Sequence, residues 1–354
     1  MKLPRVFWIL LALSAIWSFG PGRLAFAQEP SPKPPVKVYV LLGQSNMVGF
    51  GRIDPVETPG TLAHLVKNEH ELVAGMMDAE GKWVARDDVW LVQVTVGQKQ
   101  QWLQPSGRHF GPELGFGQVI GDFHEEPVVL IKASQGNRSL GWDILPPDSE
   151  RFDFDGRTYA GSGDSTPSWI EGEEKKPVNW YAGKQYDDFL RDTKEVLANL
   201  KKFYPHDQGQ GFEIAGFVWW QGHKDQNPAH ASRYEQNLVH LIKQLRKDFK
   251  APAAKFVMAT IAFEGWKLKG PGLTVAEAQL AVSGERAKYP EFVGNVKTVE
   301  ARGAWRAKDI SPTGQGHHYN HNAETYLWVG RALGEAMVEL LRPRANEDAT
   351  DSKG

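Results

Sequence analysis

A serine follows directly from a predicted strand near the beginning of the chain. Val36–Leu42 is almost wholly apolar, which predicts a strand buried on both faces of a parallel sheet, and Gly43 supplies the turn that ends it. Ser45 comes two residues later, at the carboxyl end of the strand, where ligands and catalytic groups collect in open α/β sheets. Such a serine can be a nucleophile if a histidine takes its proton, or it can merely cap a helix. The sequence lacks the second glycine of a G-x-S-x-G elbow, because Met47 occupies that position.

Later turns carry the other groups that acyl transfer needs. Gly136 and Asn137 follow a second predicted strand, and Gln221 follows a third. A segment from Gln315 to His321 precedes the last helix and contains three histidines. Because the carboxyl ends of parallel strands meet at one edge of a sheet, we expect these residues to face Ser45. Together they would supply a nucleophile, donors for an oxyanion and a base.

Apolar runs alternate with amphipathic segments along the chain. This alternation predicts a three-layer α/β/α sandwich of flavodoxin-like type around a mostly parallel, five-stranded sheet. The five strands are predicted at 36–42, 127–132, 212–220, 254–262 and 292–299, with 88–96 as a further strand or hairpin arm. Helices are predicted at about 113–122, 186–203, 232–249, 275–288 and 323–341.

Residues 141–183 show no clear periodicity and are rich in aromatic residues. A segment of this length inside a compact domain is usually functional or a small subdomain, so we interpret it as a lid or substrate wall. Its aromatic side chains are of the kind that stack on sugar faces: Trp142, Phe152, Phe154, Tyr159, Trp169, Trp180 and Tyr181.

Composition limits the classes of function. The 354 residues are 41% hydrophobic and 24% charged, as in an ordinary globular protein, and the net charge of −2 gives no indication of nucleic acid binding. The absence of cysteine excludes disulfides, thiolate catalysis and Cys-ligated zinc. No P-loop or dinucleotide fingerprint is present, and we expect no cofactor.

The N-terminal residues have the pattern of an export signal. Lys2 and Arg5 precede an apolar stretch, and Ala25–Ala27 fits a small-x-small cleavage site. We therefore predict a signal peptide at 1–27, a Pro-rich linker at 28–35, a catalytic domain at 36–342 and a flexible tail at 343–354. After cleavage the protein would be secreted or periplasmic and without membrane attachment.

The motifs resemble those of the SGNH-hydrolase superfamily, and within it the GQSN-type carbohydrate acetylesterases related to acetylxylan esterase and sialate O-acetylesterase. The resemblance covers nearly the whole mature chain. It rests on GQSNM at 43–47, GPE at 111–113, the segment 136–140, WWQG at 219–222 and HYN at 318–320. It implies that Ser45 is the nucleophile and His318 the base. It also implies an oxyanion hole formed by the Ser45 N–H, Gly136 and Gln221, with Gln44 and Asn46 beside the site.

Three positions depart from the family pattern. Gln315 stands where the family often has an aspartate three residues before the histidine. Either Gln315 orients the imidazole as a neutral partner, or another acid does, with Asp309 preferred over Asp225 because it lies on the same C-terminal segment. His223 replaces the glutamate of a Gln-Gly-Glu block. Asn137 replaces a glycine, and asparagine tolerates positive φ better than most residues.

His317 directly precedes His318, and chemistry alone does not separate the two as candidate bases. The family motif favours His318, because its histidine stands directly before an aromatic residue and asparagine. His317 and His321 also have i, i+4 spacing, but no carboxylate or cysteine beside them completes a metal site.

The leading hypothesis is an exported serine esterase that removes O-acetyl groups from an oligo- or polysaccharide. The absence of an aspartate at position 315 also suits a carbohydrate-binding protein of the same fold that has lost turnover. A third hypothesis is a general short-chain or lipase-like esterase. Labelling of Ser45 by a fluorophosphonate tests the second hypothesis, and acyl-chain preference tests the third.

Overall fold

The protein, for which we have a computed structural model, is described over residues 33–343. The predicted signal peptide, most of the linker and nearly all of the C-terminal tail lie outside this range. Its strands are β1 Val36–Gly43, β2 Gly51–Arg52, β3 Val89–Val94, β4 Lys99–Trp102, β5 His109–Phe110, β6 Val128–Ser134, β7 Phe152–Phe154, β8 Arg157–Tyr159, β9 Ser168–Trp169, β10 Phe212–Trp220, β11 Lys255–Ala259 and β12 Val296–Val299. Its α-helices are α1 Ser45–Val48, α2 Leu62–Lys67, α3 Glu113–Phe123, α4 Lys184–Ala198, α5 Leu200–Phe203, α6 Pro228–Asp248, α7 Gly270–Ala281 and α8 Ala323–Leu341. Within the described range, no helix is both long and apolar enough to span a bilayer.

The central sheet confirms the predicted mostly parallel α/β architecture, but five strands is too low a count. Seven strands lie in the order β12-β11-β10-β1-β6-β3-β4, and only β4 is antiparallel to its neighbour. The predicted hairpin arm is β3, which pairs in parallel with β6 and turns back into β4. The five predicted strands keep the flavodoxin-like order, with β3 and β4 added at one edge.

The chain order reverses direction across the sheet at β1. β6 lies on one side of β1, and β10, β11 and β12 follow on the other side. Right-handed crossovers therefore carry α3 to one face of the sheet and α4, α6 and α7 to the opposite face. Helix α8 packs on α3 and completes the first layer. Ligand sites in such folds lie at the switch point, which here is the carboxyl end of β1.

Helix boundaries differ from the prediction mainly at segments that contain glycine and proline, which the sequence analysis placed outside helices. Helix α7 begins at Gly270 rather than near residue 275, since Pro271 fits the first turn of a helix, and it ends seven residues earlier than predicted. Helix α6 begins at Pro228, where the Asn227 side chain accepts the His230 N–H at 2.9 Å. The predicted fifth strand is shorter than expected, because Pro290–Phe292 forms a 3-10 turn before β12.

The segment 141–183 contains structure that its sequence did not reveal. Strands β7, β8 and β9 form a small antiparallel sheet in it. Four of its buried side chains make a satellite cluster apart from the main core: Trp142, Leu145, Ala160 and Ala182. The segment is a small subdomain beside the carboxyl end of β6, where a substrate wall would lie.

A buried ion pair ties the first turn after β1 to its neighbours. Lys132 Nζ on β6 donates to the Val48 carbonyl at 2.9 Å and lies 2.9 Å from a Glu113 carboxylate oxygen. Glu113, in the first turn of α3, also accepts the Gly111 N–H at 3.0 Å. Helix α1 is thereby fixed to β6 and α3, which explains the chemistry of the GPE motif at 111–113.

Candidate active site

Strand register brings the predicted oxyanion residues beside Ser45. Gly43 pairs with Trp220 on one neighbouring strand and with Ser134 on the other. Ser45, Gly136 and Gln221 follow these three paired residues by one or two positions, so they leave the sheet at the same level. A Cβ atom on Gly43 would lie 2.3 Å from the Trp220 carbonyl oxygen, so only glycine allows this approach.

Ser45 is the first residue of α1 and is 8% exposed. Its N–H has no intrahelical acceptor because of that position, and it is available to an incoming oxyanion. The Ser45 hydroxyl does not cap the helix: Gln44 is the N-cap residue, and no side-chain capping bond is formed. The alternative interpretation of Ser45 as a helix cap is therefore wrong.

Gly136 lies against the serine, since a Cβ atom built on it would sit 3.8 Å from Ser45 Cβ. Asn137 adopts φ = 57°, so the expectation that asparagine would preserve this turn is confirmed. The backbone of this turn can present an N–H beside the Ser45 N–H, as an oxyanion hole requires.

Gln221 lies at the site, but its side-chain amide already forms hydrogen bonds within the protein. Its Nε2 donates to Asp225 Oδ2 at 2.6 Å and to the Arg138 carbonyl at 2.9 Å, and these two bonds use both of its hydrogens. Its Oε1 accepts the Tyr234 hydroxyl at 2.9 Å. In this arrangement Gln221 supports the turn that contains Gly136 and is not poised to donate to an oxyanion, contrary to the expectation from the resemblance.

Gln44 and Asp225 complete this support. Gln44 Oε1 faces the N–H groups of Gly222 and Lys224 at 3.5 and 3.3 Å. Asp225 is fully buried and accepts the Leu140 and Gly141 N–H groups at 2.9 and 2.8 Å. The carboxylate of Asp225 therefore joins the turns after β6 and β10, and it is not a partner of His318.

The segment that contains His318 is anchored by its buried residue Tyr319. The Tyr319 ring stacks between Trp220 at 5.0 Å and Phe263 at 4.9 Å, and its hydroxyl accepts the Ala262 N–H at 3.1 Å. Residues 319–321 all have positive φ, a strained conformation that persists only when packing determines it.

Asn46 links the same segment to the serine helix. Its Nδ2 donates to the His317 carbonyl at 3.4 Å, and its Oδ1 accepts the Tyr326 hydroxyl at 2.8 Å. Tyr326 is fully buried on α8. The residue that follows Ser45 is thereby connected to the backbone that precedes His318.

The His318 ring is oriented by a neutral partner and an aromatic face. Its Nδ1 lies 3.4 Å from Gln315 Oε1, and its ring stacks on Phe50 with centroids 3.8 Å apart. An Nδ1–H directed at Gln315 Oε1 leaves Nε2 unprotonated, as a general base requires. Burial, with nearby His317 and His321 adding to it, lowers the pKa of His318 to about 4.

Asp309 does not take the role of acid partner in this structure. It lies on an exposed 3-10 turn, Lys308–Ile310, and no hydrogen bond or ion pair joins it to His318 within residues 33–343. With Asp225 buried elsewhere, Gln315 is the side chain that meets His318 Nδ1 in the described chain. The preference for Asp309 is therefore corrected: of the alternatives, the neutral partner is the one that the contacts favour.

Five histidines form a row of ring contacts around the site. His318 contacts His317 at 4.2 Å and His321 at 5.8 Å, His321 contacts His109 at 5.4 Å, and His317 stacks on His223 at 5.7 Å. His321 Nε2 shares Gln315 Oε1 with His318, at 2.6 Å. Among the residues described, no group of three or more His, Asp or Glu side chains is arranged to hold a metal ion.

A cavity of about 850 Å³ opens beside this row. His223 and His317 line it on the side of the site, and Trp305 and Phe263 contribute aromatic faces. Lys267 and Lys308 contribute positive charge, against the carboxylate of Glu264. Its size and mixed lining suit a polar ring compound.

Sequence reasoning missed the residues that orient the base. Phe50 follows Ser45 by only five residues, yet its stacking on His318 depends on a contact across 268 positions. Tyr326 lies in the helix predicted at 323–341, and no local pattern marks its contact with Asn46. The aromatic residue beside the catalytic histidine motif was the available signal for Tyr319, whose ring anchors the segment.

The fold places a buried serine at the switch point of a parallel α/β sheet, and Asn46 links that serine's helix to the segment that contains His318. A family model described as carbohydrate esterase, sialic acid-specific acetylesterase, matches residues 35–154 and 158–339. The chain belongs to this family and is a carbohydrate O-acetylesterase. A comparison with curated proteins gives no match.

Several solved structures are similar to this chain at low identity. A protein from Arabidopsis thaliana is 18% identical, with a TM-score of 0.50 over 86% of this chain and 98% of that one. NanS is 13% identical, with a TM-score of 0.48 over 86% and 98% of the two chains. A carbohydrate acetylesterase from Xanthomonas citri is 12% identical, with a TM-score of 0.46 over 85% and 57%. The first of these likenesses supports the α/β fold.

Proposed function

We propose that this protein hydrolyses O-acetyl esters of a carbohydrate by a Ser45–His318 mechanism without a carboxylate partner. The observation that carries the proposal is the orientation of His318, whose Nδ1 faces Gln315 Oε1 while its ring is fixed on Phe50. This orientation leaves Nε2 for the serine, and the lowered pKa keeps the imidazole neutral at physiological pH.

The reaction proceeds in two halves. Ser45 Oγ attacks the acetyl carbonyl carbon as His318 Nε2 accepts the serine proton, and the N–H groups of Ser45 and Gly136 stabilise the oxyanion. Collapse of the tetrahedral intermediate breaks the bond to the sugar oxygen, which takes that proton from His318. Water then attacks the acetyl-serine with His318 again as base, which releases acetate and restores Ser45.

The charge of the cavity favours an acidic sugar over a neutral one. Two lysines, Lys267 and Lys308, outnumber the one carboxylate in its lining, that of Glu264. A sialic acid has a carboxylate that these groups can bind, whereas a xylose unit has none. We therefore propose the sialate type of substrate rather than acetylated xylan, in keeping with the description of the family.

Acetate release tests the mechanism and the substrate together. Wild type and Ser45→Ala are compared on p-nitrophenyl acetate, O-acetylated N-acetylneuraminic acid and acetylated xylan. We expect Ser45→Ala to lose about 10³-fold or more in kcat on every ester that the wild type cleaves. Activity that persists in this variant removes Ser45 from the mechanism, and a preference for xylan overturns the proposed substrate.

The base is tested by adjacent substitutions. We expect His318→Ala to lose about 10³-fold in kcat and His317→Ala to lose less than about tenfold, because His317 lines the cavity and does not face Gln315. The reverse result moves the base by one residue. Circular dichroism of both variants controls for folding.

Gln315 also favours a second candidate, a carbohydrate-binding protein with little or no turnover. An amide cannot stabilise the imidazolium as a carboxylate does. Under this alternative the wild type would bind an acetylated sugar by calorimetry but would release no acetate and would not react with a fluorophosphonate. Cleavage of p-nitrophenyl octanoate as fast as the acetate would instead indicate a general esterase.

We also propose that residues 1–27 direct export and are removed. The motivating pattern is the basic start, the apolar stretch and the small-x-small site at Ala25–Ala27. Mass spectrometry of the protein from its native host would find a mature N-terminus near Gln28. An intact N-terminus in the cytoplasm would overturn this proposal.

A further inference from the structure

Trp266 stands out among the exposed apolar side chains. It is 68% exposed, more than any other large hydrophobic residue in the described chain. Trp90, Trp219 and Trp220, by contrast, are buried in the core. An indole left in water forgoes the free energy of burying its apolar surface, so its position calls for an explanation.

The exposed indole is held in place by a charged neighbour. The guanidinium of Arg302 lies over the Trp266 ring, 4.7 Å from its centroid. Arg302 donates to both carboxylate oxygens of Glu300, at 2.9 and 2.6 Å. Glu300 also accepts the Thr260 hydroxyl at 3.1 Å. Arg302 thus covers part of the indole and fixes it, while the rest of the ring faces solvent.

The turn that contains Trp266 borders the cavity beside the site. It is flanked in sequence by Glu264 and Lys267, which both line the cavity. A Cβ atom on Gly265 would lie 3.2 Å from Trp305 Cβ, so the turn that contains Trp266 packs directly on Trp305.

The same wall continues to the proposed base. A Cβ atom on Gly316 would lie 3.7 Å from the Trp305 ring, and Gly316 adjoins His317, next to His318. A continuous wall therefore runs from the proposed base through Trp305 to Trp266, and a ligand chain lying along it would reach both ends.

We propose that Trp266 is a stacking platform for a sugar ring next to the acetylated one. The preferred substrate is then an acetylated oligosaccharide or polysaccharide rather than a free monosaccharide. Sugar rings pack their C–H faces on aromatic rings, and Arg302 and Lys267 add hydrogen-bond donors for the hydroxyl and carboxylate groups of an acidic glycan. This inference rests on the proposed carbohydrate deacetylation at Ser45.

The test compares a longer and a shorter substrate in Trp266→Ala. On O-acetylated sialyllactose we expect KM to rise about tenfold with kcat unchanged. On O-acetylated N-acetylneuraminic acid and p-nitrophenyl acetate we expect no change, since neither reaches the platform. Trp266→Tyr should restore most of the affinity. Phe212→Ala is the matched control, because Phe212 is an exposed aromatic residue (41%) at the amino end of β10, whereas the site lies beyond the carboxyl ends of the strands.

Binding without turnover separates this inference from the proposed mechanism. In the Ser45→Ala background, calorimetry with O-acetylated sialyllactose should show Kd about tenfold weaker when Trp266→Ala is added. Equal Kd values overturn the platform while leaving deacetylation untouched. An equal loss on all three esters also overturns it, as does a change of oligomeric state with unchanged KM. If the wild type releases acetate only from p-nitrophenyl acetate, the proposed function itself has failed.

Discussion

Gln315 occupies the position at which the family often has an aspartate, and its amide oxygen lies 3.4 Å from His318 Nδ1. Replacing the amide by a carboxylate of equal length would place a negative charge against the imidazole. An adjacent carboxylate favours imidazolium and raises its pKa from about 4 toward the ordinary value. The neutral partner therefore fixes the tautomer of the base and adds no charge to offset burial, which lowers the pKa of His318.

Gln315→Glu should shift the pH dependence of acetate release. In the wild type we expect kcat/KM to be flat above about pH 5 and to fall as pH drops through 4, because protonation of His318 removes the base. In Gln315→Glu the falling limb should move up by about 1 to 2 pH units, and kcat at pH 7 should rise about tenfold. The measurement is kcat/KM on p-nitrophenyl acetate between pH 4 and 8.

Gln315→Asn is the matched control, because it keeps the amide but shortens its reach. It should lower kcat without moving the falling limb upward. Identical pH profiles for the wild type and Gln315→Glu would show that residue 315 does not act on the base, and the tautomer assigned to His318 would lose its support.

At the scale of elements, Asp225 determines whether the turns after β6 and β10 meet. It is fully buried and accepts two backbone N–H groups and the Gln221 amide, at 2.6 to 2.9 Å. Asp225→Ala would leave the Leu140 and Gly141 N–H groups buried without an acceptor and would remove one partner of Gln221, which should lower the free energy of unfolding by about 3–5 kcal/mol. Urea denaturation measures this loss, and kcat should fall with it because Gly136 loses its support.

Asp309→Ala provides the contrast within the same experiment. Because Asp309 is exposed and does not contact His318, we expect a stability change within about 0.5 kcal/mol and near-normal turnover. If turnover instead fell by two orders of magnitude or more while stability stayed the same, Asp309 would be the acid partner of the histidine.

The elements that could be predicted from sequence are those with a strong local signal. β1, β6 and β10 are long apolar runs, and their predicted positions lie within two residues of the observed ones. β4, with the sequence KQQW, is a polar edge strand whose formation depends on pairing with β3. Helix α7 begins with Gly-Pro-Gly, where local propensity argues against a helix and tertiary packing decides.

The candidate site likewise has features that the sequence predicts and features that depend on contacts between distant segments. The approach of Gly136 and Gln221 to Ser45 follows from parallel register, which strand order alone makes predictable. The engagement of the Gln221 amide with Asp225 and the stacking of Phe50 on His318 depend on side-chain contacts between distant segments. No periodicity in the sequence encodes such contacts, and the contacts of Gln221 differ from the free amide donor that the resemblance implied.

At the scale of the whole molecule, buried histidines should make stability depend on pH. Burial lowers the pKa of His109 and of His318 to about 4, and it also lowers the pKa of His124, His223 and His321. In the unfolded chain these groups have pKa values near 6.5. Between pH 6.5 and about 4 the unfolded state therefore binds more protons than the folded state, and stability rises with pH in that window.

Urea unfolding between pH 8 and 4.5 measures this dependence. The free energy of unfolding should be nearly constant above pH 7 and should fall by at least about 2 kcal/mol by pH 4.5, even after allowing for partial exposure of the rings. His109→Phe tests the source, because His109 packs against Phe50 and His321 outside the proposed chemistry. In this variant the free energy of unfolding should depend less steeply on pH between 6.5 and 4.5, with similar stability near pH 8.

A wild-type stability that stays flat down to pH 4.5 would mean that these histidines take up protons in the folded state as readily as in the unfolded chain. The neutral base assigned to His318 would then be wrong as well.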